Sequence, residues 1–269
     1  MLQLNSKNIP YQSVQVFLSL VSKSSDIATG AIEKFEYLIR HKDFTPMELL
    51  HKIEQNNELD KLFIYQLEDS VRLCKEHNIK ISLNIDNSVV SSPLVIETLK
   101  KYKKNELKNI EFELLETDIN MKNLKEFIDC IQNLGVRVNI DDFGSDKQTF
   151  ERVKDIKEIA GKKLKTIKID GSLIKKLMIE DKEAMAMIKE IVKYAKEHNI
   201  KIVSEYIDCF EKFDKVKGFS DYVQGFMFDS LNTNNEDFSK NLQSLEVGIK
   251  LKLEGKLRGE DTRAQRRKK

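Results

Sequence analysis

The sequence alternates between short runs rich in β-branched residues and longer stretches with helical periodicity, which limits the chain to an α/β fold. Apolar residues recur close to every 3.6 positions in 59–77, and 121–134 and 182–198 follow the same pattern. Eight strands alternating with helices predict a parallel barrel, and 269 residues suit one such barrel of about 250 residues. An open doubly wound sheet is the alternative, although no GxGxxG motif follows any strand. The predicted strands are 16–21, 32–38, 80–85, 110–115, 136–140, 166–169, 201–203 and 222–226.

The two ends of the chain depart from this pattern. The first predicted strand leads almost directly into the second, which predicts a hairpin and hence one antiparallel strand in an otherwise parallel barrel. We expect one barrel domain over residues 1–250 and a basic, disordered tail over 251–269. Residues 250–269 hold nine Lys or Arg against three Asp or Glu, a net charge of +6. The favoured interpretation is that these charges are simply solvated, and the alternative that the tail binds nucleic acid or another anionic partner stays open.

Cysteine usage and hydropathy indicate a cytoplasmic protein. Cys74, Cys130 and Cys209 lie far apart and form no CxxC pair, so neither a disulfide framework nor a zinc knot is expected. The N-terminus is polar, and no stretch approaches the roughly 18 apolar residues of a membrane span. The formal net charge of the whole chain is only +2, which gives no overall field that favours nucleic acid.

Polar side chains stand at the carboxyl ends of seven successive predicted strands. Some of them interrupt apolar runs, such as Asn84 in ISLNI, Glu113 in IEFELL and Lys168 in TIKID, and a charge in a burial-prone position needs a partner or a metal. Functional groups of parallel barrels cluster at this end of the sheet. Oxygen ligands of this kind suit Mg²⁺ or Mn²⁺ rather than Zn²⁺. The full set is Glu36, Asn84, Glu113, Asp141 with Asp142, Lys168, Glu205 and Gln224.

Several of these segments together resemble the EAL-domain family of cyclic di-GMP phosphodiesterases. FEYLIR at 35–40 resembles the family's EALLR motif, SLNID at 82–86 its NLS strand, and FELLE at 112–116 its E-[IL]-T-E strand. DDFGS at 141–145 is similar to DDFGT, IKIDGSLI at 167–174 to LKIDGSFI, VSEYID at 203–208 to AEGVE, and VQGFMF at 223–228 to QGYLF. The resemblance covers roughly residues 16–230 with the motifs in order. It implies a modified TIM barrel with one antiparallel strand.

The resemblance also implies a reaction and a metal site. The family hydrolyses one phosphodiester bond of cyclic di-GMP to give linear pGpG, with Mg²⁺ or Mn²⁺. Two such ions can stabilise both the attacking and the leaving oxygen of a displacement. By resemblance, Glu36, Asn84, Glu113 and Asp141 would hold the first metal, and Asp142 would hold the second.

Further roles follow from the same resemblance. Glu205 and Lys168 would act through the attacking water, and Gln224 would position the water network from the last strand. Arg40 would face a phosphate of the substrate. Glu116 would anchor the loop that follows Asp142. The family resemblance further implies a possible homodimer.

The chain departs from the family at two places that bear on activity. The loop after Asp142 reads DDFGSDKQTF where the family reads DDFGTGYSSL, and the segment from there to Lys168 is longer. The glutamine of the family's YQPI motif aligns with Ser22, and the similar YQSV at 11–14 comes earlier than expected. Three hypotheses therefore stand: an active phosphodiesterase, a degenerate EAL domain that binds cyclic di-GMP without turnover, and a protein-interaction module.

Overall fold

Nine strands form one sheet in the part of the chain that the structure describes. The computed structural model describes residues 12–19, 32–41, 43–115, 119–145, 149–225 and 230–232. The strands are β1 (Gln12–Ser19), β2 (Ile32–Ile39), β3 (Ile81–Ile85), β4 (Ile110–Leu114), β5 (Arg137–Phe143), β6 (Leu164–Ile169), β7 (Lys201–Ser204), β8 (Tyr222–Gln224) and β9 (Ser230–Asn232).

The strands from β2 to β8 lie side by side in chain order, and each neighbouring pair is parallel. The first strand, β1, pairs antiparallel with β2, where Gln15 lies opposite Glu36, and with β8, where Phe17 lies opposite Gln224. It therefore bridges the two ends of the parallel sheet, and β9 adds to it by a further antiparallel pairing. This sheet and its helices confirm the predicted α/β barrel class, in which the carboxyl ends of the parallel strands meet at one end.

Helices cover the outer face of the sheet. The phrase EHNIKI occurs at 76–81 and at 197–202, each time where a helix ends and a strand follows. Its asparagines, Asn78 and Asn199, are both left-handed with φ of 53° and 55°, so the phrase makes the same helix-to-strand turn twice. A short 3-10 turn covers Gly161–Lys163. The helices are α1 (Pro46–Gln55), α2 (Leu59–His77), α3 (Asn87–Ser91), α4 (Pro93–Leu99), α5 (Met121–Cys130), α6 (Phe150–Ala160), α7 (Gly171–Met178), α8 (Lys182–Glu197) and α9 (Phe210–Val216).

The strand predictions from 32 to 226 agree with the observed strands to within a few residues, but two segments were assigned wrongly. The first strand begins at Gln12 rather than at residue 16, so it includes most of YQSV. Residues 230–232, absent from the predicted strands, form β9, because the part of β1 ahead of its pairing with β8 is open to a further backbone pairing at Ser13–Gln15. Ser22 and the predicted tail 251–269 lie outside the described residues. Among the described residues, no helix is both long and apolar enough to cross a membrane.

The outer faces of the strands form an apolar layer with the helices. Phe112 of β4 is fully buried, and its ring lies 5.5 Å from that of Phe63 in α2 and 5.7 Å from that of Phe127 in α5, measured between centroids. Because side chains alternate along a strand, the residues on either side of Phe112 point into the barrel. Those neighbours are Glu111 and Glu113, so the inner face of β4 is acidic where its outer face is aromatic.

A layer of polar side chains lies inside the barrel two residues before Glu36, Glu113 and Asp141 on their strands. Lys34 Nζ lies 2.7 Å from Glu111 Oε2, and the Asn139 amide donates to the same oxygen at 2.8 Å. All three side chains are buried. Burial alone would raise the pKa of Glu111, but the Lys34 ammonium and the Asn139 amide outweigh it and lower that pKa. Glu111 is therefore held as a buried carboxylate by partners on β2 and β5.

The Lys34–Glu111 pair generates a stability prediction. Lys34→Met should lower the free energy of unfolding by about 3–5 kcal/mol, because it leaves Glu111 as a poorly compensated buried charge. Lys34→Met with Glu111→Gln should recover much of this loss. As a matched control, Lys193→Met, which removes an exposed pair with Glu197, should cost less than about 1 kcal/mol. Urea unfolding measures all three variants, and equal losses for Lys34→Met and Lys193→Met would contradict the assignment.

Candidate functional site

The eight residues predicted from the strand ends lie together at the carboxyl end of the barrel. Glu205 follows β7 directly, and its backbone N–H donates to the Ile169 carbonyl of β6 at 3.1 Å, which fixes its position beside that strand. The others lie on their own strands: Glu36 on β2, Asn84 on β3, Glu113 on β4, Asp141 and Asp142 on β5, Lys168 on β6 and Gln224 on β8.

Lys168 is the centre of this group. Its Nζ lies 2.8 Å from Glu113 Oε2, 2.8 Å from Asp141 Oδ1, 2.9 Å from Glu205 Oε1 and 3.4 Å from Glu36 Oε2. The lysine side chain is 1% exposed, so water cannot share the neutralisation of these acids. One ammonium thus contacts carboxylates from four other strand ends.

Two amides orient Glu36. Asn84 Nδ2 donates to Glu36 Oε1 at 2.9 Å, and Gln224 Nε2 donates to Glu36 Oε2 at 2.6 Å. These donors come from the strands on either side of the β1–β2 pair, β3 and β8. Both oxygens of Glu36 are therefore engaged, and its carboxylate plane is fixed relative to Lys168.

The carboxylates form two overlapping groups whose oxygens lie within 4.8 Å of one another. One is Glu36, Glu113 and Asp141, and the other is Asp141, Asp142 and Glu205. Asp142 adopts a left-handed backbone with φ of 51°, a conformation that Asp tolerates better than most residues, and its N–H donates to Asp141 Oδ1 at 3.1 Å. This turn lets two consecutive aspartates face one region, which a straight strand would not allow.

Burial and charge move the pKa values of these acids in opposite directions. Burial alone would raise the pKa of Glu113, but Lys168 and Lys34 outweigh it and lower the pKa to about 2. Burial raises the pKa of Glu205 to about 8, with Glu36 adding to the effect and Lys168 opposing it. Burial likewise raises the pKa of Asp141 well above its usual range, helped by Glu205, Glu113 and Glu36. One lysine does not supply enough positive charge for all four acids.

The donor set fits a divalent cation that prefers oxygen ligands. The four carboxylates exceed the charge of Lys168, and Asn84 Oδ1 is a buried carbonyl oxygen that accepts no hydrogen bond within the described residues. A cation would satisfy both the excess negative charge and this oxygen. Carboxylate and amide oxygens of this kind bind Mg²⁺, Mn²⁺ or Ca²⁺. The acidic groups can therefore bind metal, and the residues present fit one.

Arg40 is placed beside the site, and Glu116 is not described. Arg40 lines a pocket of about 250 Å³ together with Asn84 and Asp86. Its Nη1 donates to the carbonyl oxygen of Ile39 at 2.9 Å. The loop that departs from the family is described up to Ser145 and again from Thr149, which caps α6. Residues 146–148 and Glu116 lie outside the described residues, so the role of Glu116 as the anchor of this loop stays a prediction.

Lys34 is the contact to this site that sequence reasoning missed. Its Nζ lies 3.5 Å from Glu113 Oε1, whereas Lys168 donates to the other carboxylate oxygen, Oε2. A period-two pattern was available in the sequence, because Lys34, Glu111 and Asn139 stand two residues before Glu36, Glu113 and Asp141. Residues at that spacing share the inner face of a strand, so the pattern could have identified this polar layer.

Comparison with known proteins identifies a family and several relatives of the chain. The family model described as EAL domain matches residues 21–230. The chain is 31% identical over 125 residues, 45% of its length, to Cyclic di-GMP phosphodiesterase PdeA of Borreliella burgdorferi, and 23% identical over 201 residues, 71% of its length, to Cyclic di-GMP phosphodiesterase PdeF of Escherichia coli. It spans 18% and 25% of the length of these two relatives.

Solved structures agree on the fold. An EAL domain protein from Listeria monocytogenes superposes with a TM-score of 0.69 at 23% identity, covering 86% of this chain and 95% of the other. The FimX EAL domain of Pseudomonas aeruginosa, solved bound to cyclic di-GMP, gives a TM-score of 0.67 at 19% identity, covering 87% of this chain and 94% of the other. At these identities the likeness concerns the fold.

The raised pKa values predict proton release when a metal binds. At pH 7 a carboxyl with a pKa of about 8 is mostly protonated, so a cation that binds Glu205 must displace its proton. Calorimetric titration with Mn²⁺ at pH 7, in buffers that differ in ionisation enthalpy, should show release of about one proton or more per protein. The release should be smaller at pH 9.5, where Glu205 is already ionised. Identical heats in all buffers at pH 7 would contradict these pKa shifts.

Proposed function

Because this chain belongs to the EAL domain family, we propose that it is a metal-dependent phosphodiesterase that hydrolyses cyclic di-GMP to linear pGpG. The observation that carries the proposal is the convergence of Glu36, Glu113, Asp141 and Glu205 on Lys168 at the carboxyl end of the barrel. A fold alone does not imply an activity, whereas a buried acidic cluster held at the place where barrel enzymes act is a functional arrangement.

The residues that would hold metal ions fall into the two carboxylate groups of the site. Glu36, Asn84, Glu113 and Asp141 would hold one ion, and Asp142 with Asp141 would hold a second. When bound, Mg²⁺ or Mn²⁺ would offset the phosphate charge and stabilise the attacking and leaving oxygens.

Glu205 and Lys168 are proposed as the proton-handling and charge-stabilising groups. Burial raises the pKa of Glu205 to about 8, and once metal binding has displaced its proton the carboxylate can accept one from the attacking water. The Lys168 ammonium, 2.9 Å from Glu205, keeps this carboxyl in place and presents positive charge to the developing phosphate charge. The side chain of Gln224 fixes Glu36 and would position water on the same side of the barrel.

Arg40 is proposed as the phosphate contact. It lines the pocket beside Asn84, and a guanidinium can donate two parallel hydrogen bonds to a phosphate. Among the described residues its guanidinium donates to the backbone carbonyl oxygen of Ile39, a partner that it can exchange for a phosphate group. We keep Glu116 as the proposed anchor of the loop after Asp142.

A non-hydrolytic receptor of cyclic di-GMP is the second candidate. The observation that favours it is the loop sequence SDKQTF after DDFG, where the family reads TGYSSL. Under either candidate we propose that the protein works in the cytoplasm and can form a homodimer. We assign no partner to the basic tail 251–269.

The enzyme candidate predicts turnover that depends on Glu36. Incubation with cyclic di-GMP and Mn²⁺ should yield pGpG by chromatography, and EDTA should stop the reaction. Glu36→Gln removes a negative charge that would bind metal and should lower the rate by more than about 100-fold. Loss of a residue that only supports a metal ligand lowers activity by about 10–100-fold. Glu33→Gln is the matched control, because Glu33 lies on the same strand and pairs instead with Lys80 outside the cluster; it should retain the rate.

Three outcomes separate the candidates. Cyclic di-GMP binding in the presence of Ca²⁺, without pGpG under Mn²⁺, would replace the enzyme by the receptor. Neither binding nor product would leave a protein-interaction module. Equal loss of rate in Glu36→Gln and Glu33→Gln would show that the effect is structural and would contradict the assigned role of Glu36.

A further inference from the structure

Tyr206 directly follows Glu205, at the carboxyl end of the barrel where the acidic cluster lies. The chain leaves β7 at Ser204, so Tyr206 is the second residue beyond the carboxyl end of that strand. Its side chain is 50% exposed, which makes it one of the few large side chains with apolar surface open to solvent in the described part of the chain.

The backbone of Tyr206 has a conformation that a tyrosine rarely adopts. Its φ is 57°, in the left-handed region, where a side chain with a Cβ costs stability and glycine does not. The family phrase AEGVE has glycine at this position, whereas the chain reads SEYID. A bulky residue held in a strained conformation beside an acidic cluster points to a role for its side chain.

Two residues of α7 set the direction of the ring. A Cβ built on Gly171 would lie 2.2 Å from Cδ2 and 2.3 Å from Cγ of Tyr206, so the root of the ring rests where a larger residue could not fit. Lys175 Nζ lies 5.5 Å from the ring centroid, at cation–π distance. Burial, and then the negative charges of Glu205, Asp170 and Asp142, raise the pKa of the phenol. The ring is therefore fixed at its root and lies near the site acids.

We propose that Tyr206 is a substrate-binding residue whose ring stacks on a purine base of the nucleotide held at the acidic site. The inference rests on the proposed function and adds a base contact that the acidic cluster cannot provide. Carboxylates, Lys168 and Arg40 address phosphate and metal, which every nucleotide shares, whereas an aromatic ring at this end of the barrel favours ligands that carry a flat base.

Binding measurements on three variants test this role. Cyclic di-GMP is titrated calorimetrically in Ca²⁺ against the unaltered protein and against Tyr206→Phe, Tyr206→Leu and Tyr206→Gly. Tyr206→Leu and Tyr206→Gly should weaken binding by about tenfold or more, and Tyr206→Phe should stay within about threefold. Mn²⁺ affinity should be unchanged in all variants. Tyr206→Gly should also raise the melting temperature, because it relieves the left-handed strain.

The pattern of results decides between binding and structure. Higher stability together with weaker nucleotide binding in Tyr206→Gly would not arise from a purely structural residue. Unchanged affinity in Tyr206→Leu would overturn the inference, and so would loss of binding in Tyr206→Phe, which would point to the hydroxyl rather than the ring. If the unaltered protein binds no cyclic di-GMP, the proposed function fails and this inference fails with it.

Discussion

The ion cluster around Lys168 is the interaction on which the rest of the site depends. A single buried ammonium contacts four carboxylates that come from the ends of β2, β4, β5 and β7, while it stands itself on β6. Burying charges is costly, and an apolar core would stabilise a barrel at least as well. The cluster is also unbalanced, because the acids outnumber the lysine. This excess of negative charge suits the binding of a divalent cation rather than the stability of the barrel.

The same residue type acquires opposite properties at different strand ends. Glu113 has two ammonium groups, of Lys168 and Lys34, within 3.5 Å, and its pKa falls to about 2. Glu205 shares only Lys168 and stands near other acids, so burial raises its pKa to about 8. The environment thus divides the glutamates into a permanent anion and a group able to exchange protons near neutrality. This division follows from position in the barrel, since the two side chains are chemically identical.

Much of the fold and of the candidate site was predictable because local patterns carry them. Asn84, Glu113 and Lys168 interrupt apolar strands, and the rule that parallel strand ends meet at one edge brings them together. The contacts across the barrel were harder to predict from the sequence, because the contact between Lys34 and Glu111 joins residues 77 positions apart. The start of β1 and the strand β9 were missed for a related reason, because backbone pairing with distant strands decides them. For Tyr206 the sequence signal of a left-handed backbone was the glycine that the family phrase AEGVE has at this position, because glycine favours that conformation.

A crystal structure of the protein soaked in Mn²⁺, with data collected to locate manganese by its anomalous scattering, would show directly whether the acidic cluster binds divalent metal. We expect anomalous peaks among Glu36, Glu113 and Asp141 and among Asp141, Asp142 and Glu205. If neither group shows a peak and Lys168 Nζ still lies within 3.4 Å of all four carboxylates, the lysine alone completes the cluster and the cluster is not a metal site.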